Sequence, residues 1–338
     1  MGGFVPSSEA LSESVDMSRR SINQFGQQEA VDQIFLAGQK QLRPNKNGNL
    51  YLQVELTDRT GSVAARMWNA TEGDFRGFDD GDFVRVEGTT QIYQGGLQLI
   101  ATSIIKARDN EVDMADFMPL APAEIDRLAV RLAEILRGVR DPHLRNLADC
   151  FLADQKFMTK FAKAPAGVKN HHAYPGGLLE HVVNLMEVVK LIAPRYPALN
   201  AELLLIGVLV HDMGKTAELS YEKGFAYTDE GQLIGHVVQG VSMLEAKIHE
   251  TEKLANEEFP EELALRLKHM IVSHHGQYEY GSPKLPMTLE AVALHQLDNL
   301  DAKIHNFQQL IRDDTTVESP WTAYHANLGR RLYKGHSG

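Results

Sequence analysis

The periodicity of apolar residues changes near residue 110, and this change limits the chain to two kinds of domain in a fixed order. From about Ser21 to Ala107, apolar and polar residues alternate, which is the pattern of half-buried β-strands. After a polar connector, apolar residues recur at the spacing of amphipathic helices up to about Arg312. We therefore expect a small all-β barrel followed by an all-α domain.

The alternating segment divides into five predicted strands, with a short helical link around Thr71 to Phe78 between the third and the fourth. Five strands in this order are typical of a closed or nearly closed barrel of the OB type. The strings YLQVELTDRTGSVAARMWNA and GDFVRVEGTTQIYQGGLQLIATSI resemble the OB-fold nucleic-acid-binding module of tRNA-binding and exonuclease proteins.

The predicted barrel carries residues that could bind a nucleic-acid strand, since aromatic rings stack on bases and cations contact phosphates. The stacking candidates are Tyr51, Trp68 and Tyr93, and the phosphate candidates are Arg43, Lys46, Arg59 and Arg66. The alternative is that these aromatic rings fill the barrel or its rim.

The predicted domain boundaries follow the same pattern. We expect a disordered polar tail over residues 1–16, the OB-fold domain over 17–110, a linker over 111–123, and the helical domain over 124–338 with its core at 169–311.

The net charge of −11 at first argues against a nucleic-acid ligand, because phosphate binding is usually driven by basic surface. The charge is uneven, however. Residues 17–108 contain 11 Lys and Arg against 10 Asp and Glu, so the predicted barrel does not repel nucleic acid as a whole. An acidic second half is compatible with bound divalent cations.

A single cysteine, Cys150, excludes an internal disulfide and favours a reducing compartment. The longest apolar run, Leu203 to Val210, is shorter than the roughly 18 residues that span a bilayer. The N-terminus lacks the pattern of a secretory signal. We expect a soluble, cytoplasmic protein with no membrane partner.

Histidines and aspartates recur within the predicted helices or at their ends, and this is the strongest functional signal of the chain. Adjacent helical residues point about 100° apart, so a pair such as His211-Asp212 can reach one ion only where the helix ends, as Met213-Gly214 allows. Gly276 ends the helix after His274-His275 in the same way. Any one histidine is more often a surface or core residue than a ligand. Several buried polar groups would however lack partners without a shared cation.

The order His181, His211-Asp212, Asp298 resembles the HD superfamily of metal-dependent phosphohydrolases over about Lys169 to Ile311. The resemblance implies that these four residues hold one ion, and that Asp212 bridges to a second ion held by His236, His274 and His275. It favours Asp298 over Asp301, for which a surface salt bridge or a supporting role is the alternative. It also implies that Lys215, in HDMGK, contacts the scissile phosphate, with a solvated lysine as the alternative.

Mixed imidazole and carboxylate ligands suit Mn²⁺, or Fe, Co, Ni or Zn, better than Mg²⁺. One or two such ions would supply a metal-activated water for hydrolysis of a phosphate ester, with Asp212 and Lys215 as catalytic residues. The string HHAYPGGLLEH opens the helix of His181, and we predict that His171, His172 and Tyr174 in it face the substrate.

The OB-type segment, the HD-type strings and the tail SPWTAYHANLGRRLYKG together resemble the YhaM-type 3′-to-5′ exoribonuclease family over about Ser21 to Lys334. The resemblance implies metal-dependent shortening of single-stranded RNA from its 3′ end. The sequence leaves single-stranded DNA open as another partner. A homo-oligomer is compatible with the sequence. Two alternatives stay open: an HD-type nucleotide phosphohydrolase or phosphodiesterase, and a non-enzymatic nucleic-acid-binding protein.

Overall fold

A computed structural model describes residues 19–93, 95–118, 120–167, 172, 174–220, 226–314, 316 and 319–335. The predicted disordered tail, residues 1–16, and the predicted substrate residue His171 lie outside these ranges. Within them, no helix is long and apolar enough to cross a membrane.

The first domain is a closed five-stranded barrel, as the alternation predicted. Its strands are β1 (Ala30–Pro44), β2 (Leu50–Asp58), β3 (Gly61–Trp68), β4 (Phe83–Tyr93) and β5 (Gly96–Lys106), in the spatial order β1-β2-β3-β5-β4. The link between β3 and β4 contains the helix α1 (Glu72–Arg76). All pairings are antiparallel except β3 with β5, which is parallel.

The barrel closes around alternate side chains of its strands. In β2, Leu52, Val54 and Leu56 point into the core, while their neighbours are partly exposed. Gly88 lies at the bulge where β4 meets β5, and a Cβ there would come within 2.3 Å of the Ile100 carbonyl oxygen. Only glycine therefore allows the two strands to approach so closely at that corner.

The second domain is helical. Its helices are α2 (Pro122–Arg137), α3 (Pro142–Ala153), α4 (Gln155–Lys163), α5 (Gly177–Ile192), α6 (Ala201–Val210), α7 (Lys215–Glu218), α8 (Asp229–Ile234), α9 (His236–Ala255), α10 (Glu261–Ser273) and α11 (Leu289–Arg312). A short hairpin of β6 (Leu219–Ser220) and β7 (Ala226–Tyr227) separates α7 from α8.

The segment from His143 to Ala164 follows a helical spacing throughout, but the structure divides it into two helices at Asp154. Asp154 leaves the helical conformation, and its side chain accepts a hydrogen bond from the Phe157 backbone N–H, which caps the second helix. The apolar period continues across the break because Phe151, Phe157 and Phe161 all enter one core.

Helix α6 lies at the centre of this domain, between α5, α10 and α11. All residues from Leu203 to Val210 are buried, so this short helix is apolar on every side. Gly207 lets α10 approach, because a Cβ there would lie 2.4 Å from the Met270 Sδ. His211 and Asp212, which directly follow α6, therefore lie in the interior of the domain.

Helix α11 links the centre of the helical domain to the barrel. Its 24 residues span about 36 Å. The residues just beyond its end approach the barrel, where Thr316 forms a β-bridge with Gly96 and Asp313 lies beside Gly61. The Arg59 backbone N–H also donates to the Asp116 carbonyl oxygen in the connector, at 2.9 Å.

Candidate metal centre

The pairs His211-Asp212 and His274-His275 directly follow the ends of their helices, as predicted. Helix α6 ends at Val210, and α10 ends at Ser273. The turn after His211 and Asp212 needs a small residue, because a Cβ on Gly214 would lie 2.0 Å from the carbonyl oxygen of His236. The other turn uses a left-handed glycine, Gly276, with φ of +77°.

Two of the imidazoles are held by the helices that carry them. His211 Nδ1 donates to the Val208 carbonyl oxygen at 2.8 Å, and His274 Nδ1 donates to the Ile271 carbonyl oxygen at 2.7 Å. A carbonyl oxygen can only accept, so Nδ1 carries the proton in both rings. Each Nε2 atom therefore keeps a lone pair that is available to a metal ion.

Two further imidazoles are held by carboxylates. His181 Nδ1 donates to Asp301 Oδ2 at 2.7 Å, and His236 Nδ1 donates to Glu218 Oε1 at 3.0 Å. Metal-ligating histidines commonly donate their other ring nitrogen to a carboxylate, which fixes the orientation of the ring. In these two rings as well, Nε2 is the atom that faces the centre of the site.

The inward-facing nitrogens approach one another closely. The Nε2 atoms of His181 and His211 are 3.4 Å apart, and those of His236 and His275 are 3.3 Å apart. In the first pair both Nδ1 atoms are donors, so two lone pairs would face each other. A positive charge, either a proton or a metal ion, is therefore needed between these rings.

Asp212 lies between the two histidine pairs. Its Oδ2 is 3.3 Å from His211 Nε2 and 2.6 Å from Lys215 Nζ, while its Oδ1 is 3.5 Å from His274 Nε2 and 3.6 Å from His236 Nε2. Burial raises the pKa of Asp212, but Lys215 and His211 outweigh it and hold the pKa well below its usual range. Asp212 is thus a charged carboxylate that faces both halves of the site.

Helix α11 supplies two carboxylates to the His181 ring. Asp298 Oδ1 lies 3.3 Å from Nε2 on the inner side, whereas Asp301 bonds Nδ1 on the outer side. Burial lowers the pKa of His181, but the two carboxylates outweigh it and raise the pKa to about 9. Asp298 is therefore placed as a candidate ligand, and Asp301 as the residue that holds the ligand.

Two imidazoles in the second half of the site, His274 and His275, are neutral. Burial lowers the pKa of His274 and, together with the neighbouring His274 and His236, lowers the pKa of His275 to about 4. Neutral rings are the form that binds a metal ion. Glu218 keeps its negative charge, because His236 lowers its pKa in spite of burial.

A divalent cation fits these atoms. Asp212 Oδ1 and His274 Nε2 are buried and form no hydrogen bond with any described residue, which is costly for polar atoms that have no other partner. Ligands that bind one ion at about 2.0 to 2.2 Å lie about 3 to 4 Å from each other, and the inward-facing atoms have this spacing. Among the described residues, three groups each offer three ligand atoms: His181, His211 and Asp212; His236, His274 and His275; and His172, His181 and Asp301. In the third group the facing atoms are already joined by hydrogen bonds, so the first two groups are the candidates for a metal ion.

In the turn before α5, His172 does not face the open cleft, contrary to the prediction. His172 is only 2% exposed, and both of its ring nitrogens are engaged, Nε2 with Asp301 at 3.0 Å and Nδ1 with Glu180 at 2.9 Å. Tyr174 bonds Glu180 as well. The structure therefore places His172 behind the metal-facing rings, because the turn packs it against α11. A Cβ on Gly177 would lie 2.0 Å from the His172 carbonyl oxygen, so this turn requires the second glycine.

The open side of the site is a cleft of about 180 Å³, lined by Asp212, Lys215, His274, His275, Tyr280, His295, Asp298, Asn299 and Ala302. Lys215 keeps its charge there, because Asp212 raises its pKa despite burial. The sequence analysis did not single out Tyr280, His295, Asn299 or the supporting Glu218. The His295 ring is oriented by a hydrogen bond, which its Nδ1 donates to the His274 carbonyl oxygen at 2.8 Å.

Five of the seven candidate nucleic-acid residues of the barrel lie on its outer surface in two neighbouring rows. Arg43, Tyr51 and Trp68 are cross-strand neighbours on β1, β2 and β3, and the Tyr51 and Trp68 ring centroids are 5.2 Å apart. In the next row, the Arg66 guanidinium lies 5.6 Å from the Tyr93 ring. Trp68 and Tyr93 are 44% and 50% exposed, so neither fills the barrel.

The two remaining barrel candidates lie elsewhere. Lys46 is exposed in the turn between β1 and β2. Arg59 lies in the turn between β2 and β3, and it lines a cleft between the barrel and the helical domain with Tyr174 and His305. The structure thus groups five of the seven barrel residues into one surface and leaves these two outside it.

Comparison with known proteins agrees with this architecture. Residues 178–303 match the family model of the HD domain, and residues 36–107 match that of an OB-fold nucleic acid binding domain. The 3′-5′ exoribonuclease YhaM of Bacillus velezensis is 36% identical over 277 residues, which are 82% of this chain and 86% of the relative. The 3′-5′ exoribonuclease YhaM of a Geobacillus species is also 36% identical, over 77% of this chain and 78% of the relative.

Among solved structures, the second OB-fold domain of replication protein A from Methanococcus maripaludis is 22% identical to part of this chain. The match covers 27% of this chain and 95% of that domain, with a TM-score of 0.21.

Proposed function

The chain belongs to the YhaM family of 3′-5′ exoribonucleases, and we propose that it removes nucleotides from the 3′ end of single-stranded RNA by metal-dependent hydrolysis in its HD domain. The observation that carries the proposal is the set of inward-facing Nε2 atoms, whose rings are fixed from outside, around the buried and unpaired Oδ1 of Asp212. This arrangement is prepared for a cation before any substrate binds.

We assign the ligands in two groups that share Asp212. His181, His211, Asp212 and Asp298 would hold one ion, and Asp212 would bridge to a second ion with His236, His274 and His275. The chemistry that such ions supply is activation of a water for attack at phosphorus and stabilisation of the leaving oxygen. Manganese suits the mixture of nitrogen and oxygen ligands, and Fe, Co, Ni or Zn would compete for it.

Side chains of the cleft would orient the substrate. The Lys215 ammonium keeps its charge beside Asp212, and it would neutralise a phosphate oxygen. Asn299 and Tyr280 line the same cleft and offer hydrogen bonds to the terminal nucleotide. Asp301 and Glu218 keep His181 and His236 in their orientations, so these rings need no rearrangement when the substrate enters.

The barrel would hold the strand upstream of the reacting end. The rows around Trp68 and Tyr93 combine exposed rings with Arg43 and Arg66, which is the combination that binds single strands without strong sequence preference. Single-stranded DNA offers the same bases and phosphates, so we propose it as a weaker second substrate. A cytoplasmic location fits an RNA substrate and the lone Cys150, and a homo-oligomer is compatible with the proposal.

The proposal is tested with purified protein, Mn²⁺ and a single-stranded RNA labelled at either end. A 5′ label should pass through a ladder of shortening products, while a 3′ label should leave at once as a mononucleotide. RNA that stays intact while nucleotides or model phosphodiesters are hydrolysed would instead identify a nucleotide phosphohydrolase. Binding of RNA without any hydrolysis would identify a non-enzymatic binding protein.

A further inference from the structure

The segment after α11 folds back on itself and lies outside both matched family models. We call residues 320–334 the C-terminal clasp. Trp321 pairs with Tyr333, and His325 pairs with Arg330, so the two arms run antiparallel. The Thr322 backbone N–H donates to the Leu332 carbonyl oxygen at 2.9 Å. The clasp is therefore an ordered surface element with an inner and an outer face.

The clasp is fastened beside the barrel edge that carries Tyr93. Asp314, at its base, accepts a hydrogen bond from Lys334 Nζ at 2.6 Å and another from the Ala323 backbone N–H at 2.9 Å. Two residues on, Thr316 forms a β-bridge with Gly96, which pairs with Tyr93 across the β4–β5 hairpin. The segment that leads into the clasp therefore lies next to the part of the barrel that carries Tyr93.

The outer face of the clasp is aromatic. Thr322 and Leu332 are buried on the inner face, whereas Trp321 and Tyr333 are 46% and 52% exposed, with ring centroids 5.0 Å apart. Tyr324, near the turn, is 61% exposed. About half of the surface of Trp321 and of Tyr333 is exposed, and this part is accessible to a flat apolar partner such as a nucleobase.

The clasp is also basic in a chain of net charge −11. Residues 319–335 contain Arg330, Arg331 and Lys334 and no aspartate or glutamate. Asp314 neutralises Lys334, but Arg330 and Arg331 are exposed and form no ion pair with any described residue. Arg330 lies over the Phe307 ring at 5.4 Å, which holds its guanidinium at the surface. This charge favours an anionic occupant.

We propose that the C-terminal clasp is a second binding surface for single-stranded RNA, in which bases stack on Trp321 and Tyr333 and phosphates contact Arg331. The inference rests on the proposed function and extends the RNA path beyond the barrel. Helix α11 separates Asp298 from its own C-terminal end, Arg312, by about 21 Å. The clasp would therefore grip nucleotides upstream of the reacting end, and short substrates would not need it.

The test compares full-length variants in binding to a 5′-fluorescein 20-nucleotide RNA, measured by fluorescence anisotropy in EDTA. Trp321→Ala with Tyr333→Ala should raise Kd about fivefold or more, because each stacked base is lost with its ring. The pair Trp321→Phe and Tyr333→Phe should restore most of the affinity. Tyr196→Ala is the matched control, since Tyr196 is 61% exposed on the helical domain.

A second variant, Arg331→Gln, tests the phosphate contact independently of the aromatic pair. It should lower the slope of log K against log salt by about 0.7, the contribution of one phosphate contact in a single strand. Wild-type affinity and salt slope in both variants would overturn the inference. The inference would also be overturned if the variants kept wild-type RNA affinity but showed a lower oligomeric mass in light scattering. In that case the outer face of the clasp would bind a second copy of the chain.

The failure of the exonuclease proposal can be distinguished from the failure of the clasp proposal by the activity of the wild-type protein. If wild-type protein does not shorten RNA with Mn²⁺, the exonuclease assignment fails whatever the clasp variants bind. If the wild type shortens RNA, the clasp variants should show a raised KM for the 20-mer. Their hydrolysis of bis(p-nitrophenyl) phosphate should stay unchanged, because that small diester needs only the cleft at Asp212.

Discussion

Replacement of Asp301 by asparagine isolates the contribution of a carboxylate that supports the site without binding the metal. Asp301 Oδ2 accepts hydrogen bonds from His181 Nδ1 at 2.7 Å and from His172 Nε2 at 3.0 Å. The amide oxygen of asparagine can occupy the same position and accept both bonds. The substitution therefore retains the geometry and removes the negative charge.

The expected magnitude follows from that charge. A hydrogen bond to an ionised acceptor is stronger than one to a neutral acceptor by about 1 kcal/mol, so His181 should become a weaker ligand by about five- to tenfold in metal affinity. Asp301→Ala should weaken binding by about 10- to 100-fold, because the ring of His181 then loses its orienting partner. If Asp301 only supports His181, metal affinity should decrease in the order wild type, Asp301→Asn, Asp301→Ala.

Metal affinity would be measured by Mn²⁺ titration in competition with a chelator, and RNA hydrolysis would be measured across the same range of Mn²⁺ concentration. In Asp301→Asn, saturating Mn²⁺ should restore kcat, since every proposed ligand remains. Lys303→Ala, an exposed position of the same helix, is the control for effects on α11 itself. Wild-type affinity in Asp301→Ala, or activity in Asp301→Asn that no Mn²⁺ concentration restores, would refute this reasoning.

Three further predictions concern other parts of the chain. Asp212→Ala should abolish hydrolysis and lower bound metal measured by elemental analysis, while far-ultraviolet circular dichroism stays near the wild-type signal; full activity would remove the metal mechanism. Trp68→Ala should raise KM for a 20-nucleotide RNA by about fivefold or more with little change in kcat, and an unchanged KM would reject the barrel surface. Glu290→Ala should lower the free energy of unfolding in urea by about 2 kcal/mol, because the buried carboxylate accepts hydrogen bonds from the Arg266 side chain and the Asn200 backbone N–H. These hydrogen bonds lower the pKa of Glu290 in spite of burial, so the stabilisation they provide should be present above pH 4.5 and should disappear as pH falls further; equal stability of variant and wild type at pH 7 would contradict it.

Local patterns in the sequence carried most of the architecture. Alternation of apolar residues is a property of each strand, so the five strands and the link near α1 could be predicted one at a time. The helix ends at Val210 and Ser273 could also be predicted from nearby sequence, because Gly214 and Gly276 follow within a few residues. Four of the proposed ligands, His211, Asp212, His274 and His275, directly follow these helix ends, which is why this part of the pattern is visible in the sequence.

The supporting residues depend on packing between distant segments. His181 meets Asp301 across 120 positions of sequence, and no periodicity indicates which of two nearby aspartates faces which nitrogen. Glu218 reaches His236 only because the short helix α7 and the hairpin after it fold back on α9. His172 was predicted to face the substrate, but the turn before α5 buries it beside Asp301.

The central claim is that one divalent metal centre is built around Asp212. Anomalous diffraction from crystals of the Mn²⁺-loaded protein tests it most directly. We expect a peak about 2.0 to 2.2 Å from Asp212, bounded by His181, His211 and Asp298, with a second ion on the side of His236, His274 and His275. Manganese bound elsewhere, with no anomalous peak beside Asp212, would exclude a metal centre at Asp212.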